Sequence, residues 1–206
     1  MNYKTIALFL LLPLTATAQD RYCTGFEQYK AGEWHSVGES VTLKPSSRQD
    51  MLAFTVRASD KKMSHVLRRR TFALLHDDSL YISLRPFNRF GDVYVRAWKL
   101  PDGNLIFARQ EISSSSRFGI VNGDTGQPLS SRSFRSLNSM ENLVCYIVTW
   151  DERRVEMRLA RLMPDGVMSL LKNHPEQLAR YQALSSSRRM SADVIIDVLR
   201  EAGQLR

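Results

Sequence analysis

Asp124-Thr125-Gly126 is the triplet that aspartic proteases place at their centre, where two facing carboxylates share one proton and act together on a water. This chain has a single copy, preceded by Asn122-Gly123 and followed by Gln127, which reads as a glycine-rich turn rather than a catalytic strand end. Ser59-Asp60-Lys61-Lys62 and Ser169-Leu170-Leu171-Lys172 have the Ser-x-x-Lys spacing that sets a lysine amine beside a serine nucleophile on one helical turn. Neither has the accompanying Lys-Thr-Gly element, and a serine-rich chain produces this spacing by chance. His35, His65, His76 and His174 lie far apart, without the close spacings of metal ligands. His76-Asp77-Asp78 could contribute to a cation site, but two adjacent acids before a strand read first as a solvated turn. The sequence assigns no catalytic, cofactor-binding or metal-binding residue. For a small secreted hydrolase whose catalytic residues meet only in three dimensions, His76, Asp77, Asp78 and Asp124 are the first candidates.

Charge points to a second kind of chemistry. The 206 residues carry 29 basic against 21 acidic side chains, a formal net charge of +8, and 22 of the basic residues are arginines. The guanidinium fork suits carboxylate, phosphate and sulfate, so an anionic glycan, a lipid headgroup or an acidic protein is the natural partner. Arg68-Arg69-Arg70 is the one basic cluster and the candidate anion-binding site; the other positive charges are scattered, which also fits a solvated basic surface with no specific ligand.

Residues 1–18 combine Lys4, an apolar stretch from Ile6 to Leu14, and Ala16-Thr17-Ala18 as a small-x-small cleavage site, the pattern of a secretory signal. About nine apolar residues fall well short of the ~20 needed to span a bilayer, so no transmembrane segment is expected after cleavage. The protein is expected to be periplasmic or extracellular, where nucleic acid is a poor partner. Asp20, Arg21 and Tyr22 precede Cys23, which argues against a lipid anchor at that cysteine. Two readings of Cys23 and Cys145 stand open. They pair in an oxidising compartment, or Cys145, inside Leu143-Val144-Cys145-Tyr146-Ile147-Val148, is a small buried apolar residue that never meets Cys23.

The elements that must position these groups can be read from periodicity. Residues 19–206 read as one α+β domain, a mainly antiparallel sheet with a short N-terminal helix and two or three C-terminal helices. Thr24 and Glu27 have capping-box spacing ahead of a helix over 25–31, with Gly32 as its stop. Strands are expected at 51–57, 79–84, 92–99, 104–112, 143–150 and 154–162, with Pro101-Asp102-Gly103 and Asp151 to Arg153 as hairpin turns. Residues 113–140, rich in Ser and Gly, read as a long loop with one short strand at 118–121. Three helices should come after the strands: one after an Asp165 cap, one from Pro175 through Leu184, and one capped by Ser191 whose Val194, Ile195, Val198, Leu199 and Ala202 share a face. The strand and turn at 93–103 parallel those at 155–166, which favours a turn over 163–166.

Ser79-Leu80-Tyr81-Ile82-Ser83, the strand and turn from Val93 to Gly103, Pro164-Asp165-Gly166 with Leu170-Leu171, Pro175, Tyr181, and Ile195-Ile196 to Gly203 resemble small uncharacterised secreted proteins of Bacteroidetes bacteria. The resemblance implies an envelope or extracellular protein and carries no catalytic residue. The first functional reading is a non-enzymatic binding or structural module with an arginine-rich surface; the secreted hydrolase is the alternative.

Overall fold

The computed structural model describes residues 19–46, 52–87, 91–110 and 143–206. The signal-like segment, the Ser/Gly-rich loop at 113–140 with its expected strand, and Asp124 lie outside those residues. The described strands are β1 (Arg21–Cys23), β2 (His35–Ser36), β3 (Val41–Pro45), β4 (Ala53–Ala58), β5 (Ala73–His76), β6 (Ser79–Ser83), β7 (Tyr94–Lys99), β8 (Leu105–Gln110), β9 (Leu143–Asp151) and β10 (Glu156–Arg161). The helices are α1 (Phe26–Ala31), α2 (Lys61–Arg69), α3 (Pro164–Leu170), α4 (Pro175–Gln182), α5 (Ser186–Arg189) and α6 (Ala192–Glu201). The strands form one antiparallel sheet in the order β10-β9-β8-β7-β6-β5-β1-β2, with β4 added at β7 and β3 paired to β4. The fold is α+β, as the periodicity predicts.

Alternation along the strands divides the core into layers. Leu105 and Phe107 of β8, with Val144, Tyr146 and Val148 of β9, join Ala73, Ile82, Val95 and Ala97 in one cluster that also holds Cys23, Phe26 and Tyr29. The alternate residues Ile106, Ala108 and Cys145 face the other way and pack under the C-terminal helices with Leu171, Tyr181, Ile195 and Leu199. Leu74 and Tyr94 meet Leu67 of α2 in a third cluster. The sheet curls around the first cluster far enough for Phe26, beside β1, to stack on Trp150 of β9 with centroids 5.5 Å apart.

Several local expectations are corrected. Helix α1 starts from Gly25 rather than from a Thr24 cap, and it is Gln28, not Glu27, whose Oε1 accepts from the Thr24 N–H at 2.8 Å. Gly32 does end it, at φ +73. Pro164-Asp165-Gly166 is not a turn like Pro101-Asp102-Gly103. Pro164 takes the first helical position after Met163, where its missing N–H costs nothing, so the parallel between the two segments stops there. Val155 lies in the β9–β10 turn at φ +53, not in the strand. Helix α2 falls between the expected strands at 51–57 and 79–84, in residues to which the sequence assigns no element; Asp60 caps it by accepting from the Met63 N–H at 2.8 Å.

Candidate functional site

Both cysteines are free, buried thiols. Cys23 belongs to the inner cluster with Phe107, and Cys145 to the outer cluster with Ile106 and Ala108, so the sheet itself separates them. The disulfide reading therefore gives way to the packing reading. Burial pushes each thiol up to about 12, leaving both protonated and unreactive at neutral pH.

The arginine cluster does not project as a unit. The Arg69 Nη1 donates to Asp92 Oδ2 at 2.8 Å, and Arg85 Nε lies 3.6 Å from the other oxygen of the same carboxylate. Arg68 lines a shallow groove along α2 with Lys61, Ser64 and His65. Arg70 is the exposed C-cap of the helix. Ser59 lies just before α2, with its hydroxyl 2.7 Å from that of Ser40.

His76 and the two acids after it sit at the end of the β5–β6 hairpin, where His76 pairs with Ser79 and Asp77 and Asp78 fill a two-residue turn. Both have positive φ, +46 and +56. His76 Nδ1 is 2.9 Å from Asp20 Oδ1 and its Nε2 is 3.4 Å from Asp77 Oδ2, a pairing that ties the chain before β1 to the hairpin. The other histidines lie apart: His174 meets Gln204, His35 meets Tyr22, and His65 is on α2. Among the described residues no group of three His, Cys, Asp or Glu side chains is arranged to hold a metal ion, and no helix is long and apolar enough to cross a membrane.

A cavity of about 390 Å³ among the described residues was not anticipated from the sequence. It arises because the ladder between β6 and β7 stops at the Tyr81–Arg96 pair. Beyond it, Leu80, Ser79 and Asp78 leave β7, and Lys99 instead exchanges both main-chain hydrogen bonds with Arg206, at 3.0 and 3.1 Å. The C-terminal end of α1 with Tyr29, and Trp34 after it, close the cavity on one side. The volume falls within the ~300–1,000 Å³ typical of small-molecule sites.

Its walls combine aromatic rings with cations. Lys99 Nζ lies 5.5 Å from the Tyr29 ring centroid, and the Arg96 guanidinium 5.8 Å from that of Trp98, both within the range of cation–π attraction. Strand alternation places Arg96 and Trp98 on one face and Ala97 and Lys99 on the other, so the cavity draws its cations from both faces at the gap in the sheet. Arg96, Lys99 and Arg206 have no ion-pair partner among the described residues, whereas Lys30 lies 3.9 Å from Glu152. Tyr29 is only 4 % exposed, and its hydroxyl is buried with no hydrogen-bond partner among the described residues. Burial, helped by the neighbouring Cys23, holds its phenol protonated well above the usual tyrosine range, so it is a donor at every physiological pH. A cavity of this kind can hold an anion against its cations while a ring lies against its aromatic lining. The signal in the sequence was the Arg96-Ala97-Trp98-Lys99 run, but nothing there shows that β6 abandons this strand.

The model of a family of unknown function, DUF6563, matches residues 21–206, and the chain belongs to that family. Neither a curated protein nor a solved structure matches it.

Proposed function

We propose that this member of a family of unknown function is an exported, non-enzymatic binding module that holds an anionic ligand in the cavity between α1 and the diverging strands β6 and β7. The observation that carries the reading is the cavity wall, where Arg96, Lys99 and Arg206 have no ion-pair partner among the described residues and the Tyr29 and Trp98 rings lie beside two of these cations. The cavity size favours a glycan residue over a lipid surface or a protein face as the anionic partner. The leader-like residues 1–18 and the resemblance to secreted proteins of Bacteroidetes support an envelope or extracellular setting.

Trp34 and Trp98 give the test its readout, since both line the cavity. Titration with methyl glucuronide, glucose 6-phosphate and benzoate should change tryptophan emission saturably, and the double variant Arg96→Ala/Lys99→Ala should weaken every anion at least tenfold. Unchanged affinity in that variant would sink the assignment of the cavity as the anion site.

A further inference from the structure

The charged side chains on the cavity wall are cationic except for Asp78. That residue occupies the second centre of a two-residue hairpin turn at φ +56, where a type I′ turn calls for glycine. Aspartate is among the few side chains that tolerate this left-handed conformation, so the turn accepts Asp78 without requiring its charge. Asp77, the first residue of the turn, has His76 as its partner at 3.4 Å. The Asp78 carboxylate has neither hydrogen bond nor ion pair among the described residues, although it lies beside a cavity whose Arg96, Lys99 and Arg206 lack ion-pair partners there.

An acceptor set in a cationic wall discriminates between ligands. A polyanion meets repulsion at Asp78, and an anion without hydroxyls leaves it with nothing to accept. A ligand with one negative charge and several hydroxyls satisfies the whole wall: its carboxylate faces the cations, a hydroxyl donates to Asp78, and its ring lies against the aromatic lining. We infer that the cavity selects a singly charged, hydroxyl-rich ring acid, a uronic acid residue of a glycan, and that Asp78 sets this selectivity by accepting a ring hydroxyl. This rests on the reading of the cavity as the anion site.

The experiment compares methyl glucuronide, benzoate and glucose 6-phosphate by tryptophan emission in wild type, Asp78→Gly and Asp78→Asn. In wild type the glucuronide should bind at least tenfold tighter than benzoate, which has the same charge and no hydroxyls, and tighter than glucose 6-phosphate. Asp78→Gly, which suits the turn and should melt no lower than wild type, should reduce the glucuronide's advantage over benzoate at least tenfold and strengthen glucose 6-phosphate. Asp78→Asn, which keeps an acceptor without the charge, should retain most of the hydroxyl preference while admitting the phosphate. If all three anions bind but their ratios are the same in wild type and Asp78→Gly, the selectivity role is overturned and the anion site stands. If none binds, or if the Arg96→Ala/Lys99→Ala variant binds all of them as wild type does, the cavity reading falls and the inference with it.

Discussion

Tyr29 is a residue whose polar atom works against the fold. Its ring packs edge-on against Phe72 and Trp34 in the inner cluster, but its hydroxyl is buried without a partner among the described residues. Tyr29→Phe keeps the ring and removes the penalty, so chemical denaturation should show a protein as stable as wild type or about 1 kcal/mol more so. The same variant should bind methyl glucuronide as wild type does, because the ring lines the cavity while the hydroxyl is closed off from it; weaker binding would show that the hydroxyl turns to the ligand. The buried thiols make a second prediction, with its sign fixed by linkage. Their folded pKa is raised from 9.0 to about 12, so their contribution is complete below pH 9 and is lost as pH rises towards 12, where the unfolded state has released protons that the folded state still holds. Each can add up to about 1.4 kcal/mol per pH unit of destabilisation in that window. The urea midpoint should therefore fall above pH 9 in wild type, and the Cys23→Ala/Cys145→Ala variant should show a shallower decline, with buried tyrosines accounting for the remainder above pH 10. Equal slopes would mean that the thiols titrate normally. At this scale the sequence was partly legible. It showed that Cys145 sits in an apolar strand, but not which face of the sheet Cys23 would take, because β1 is only three residues long and carries too little alternation to read.

Helix α2 tests how far a short element depends on its ends. With nine residues it is too short to be stable alone, and only Leu67 is fully buried along it. Its N-terminus relies on Asp60, whose carboxylate accepts from the Met63 N–H and whose own N–H donates to Glu39. Asp60→Ala should cost about 1 kcal/mol and Asp60→Asn much less, measured by denaturation and by amide exchange along 61–69. No loss in the alanine variant would mean that packing on β4 alone holds the helix. Met63, Val66 and Leu67 have helical spacing behind that cap, so α2 was readable in principle; the flanking strands and two adjacent lysines obscured it. The opposite error came at Pro164-Asp165-Gly166, where identical residues end a hairpin at 101–103 and begin a helix at 164. Proline fits both roles, and only the residues after the triplet distinguish them: Asn104 leads into β8, whereas Val167 and Leu171 supply a buried helical face.

At the scale of the whole molecule, the sheet must curl for the inner cluster to close, and α1 is the element that bridges the gap. Phe26 and Tyr29 project from it into a core built from β1, β5, β7, β8 and β9, and Phe26 lies nearly parallel to Trp150, 8° between ring planes. Strand alternation makes the long strands legible, but a contact between residues 26 and 150 depends on the summed twist of the strands between them, which no local pattern records. The same curl carries α1 to the place where β6 and β7 separate, so the cavity and the core share one wall, Tyr29. Phe26→Ala should therefore cost about 3–5 kcal/mol, as for other buried aromatic truncations. Trp150→Ala should cost less, because Trp150 is only partly buried. Measured together, the two should fall short of additivity by about 0.5–1.5 kcal/mol, the coupling of a stacked aromatic pair. The decisive observation is ligand binding in Trp150→Ala under conditions where it remains folded. Trp150 is not on the cavity wall, so any loss of affinity for methyl glucuronide would have to come through displacement of α1. Measurable weakening in this variant would show that closure of the sheet sets the position of Tyr29, whereas unchanged affinity would show that the β6–β7 divergence alone shapes the site.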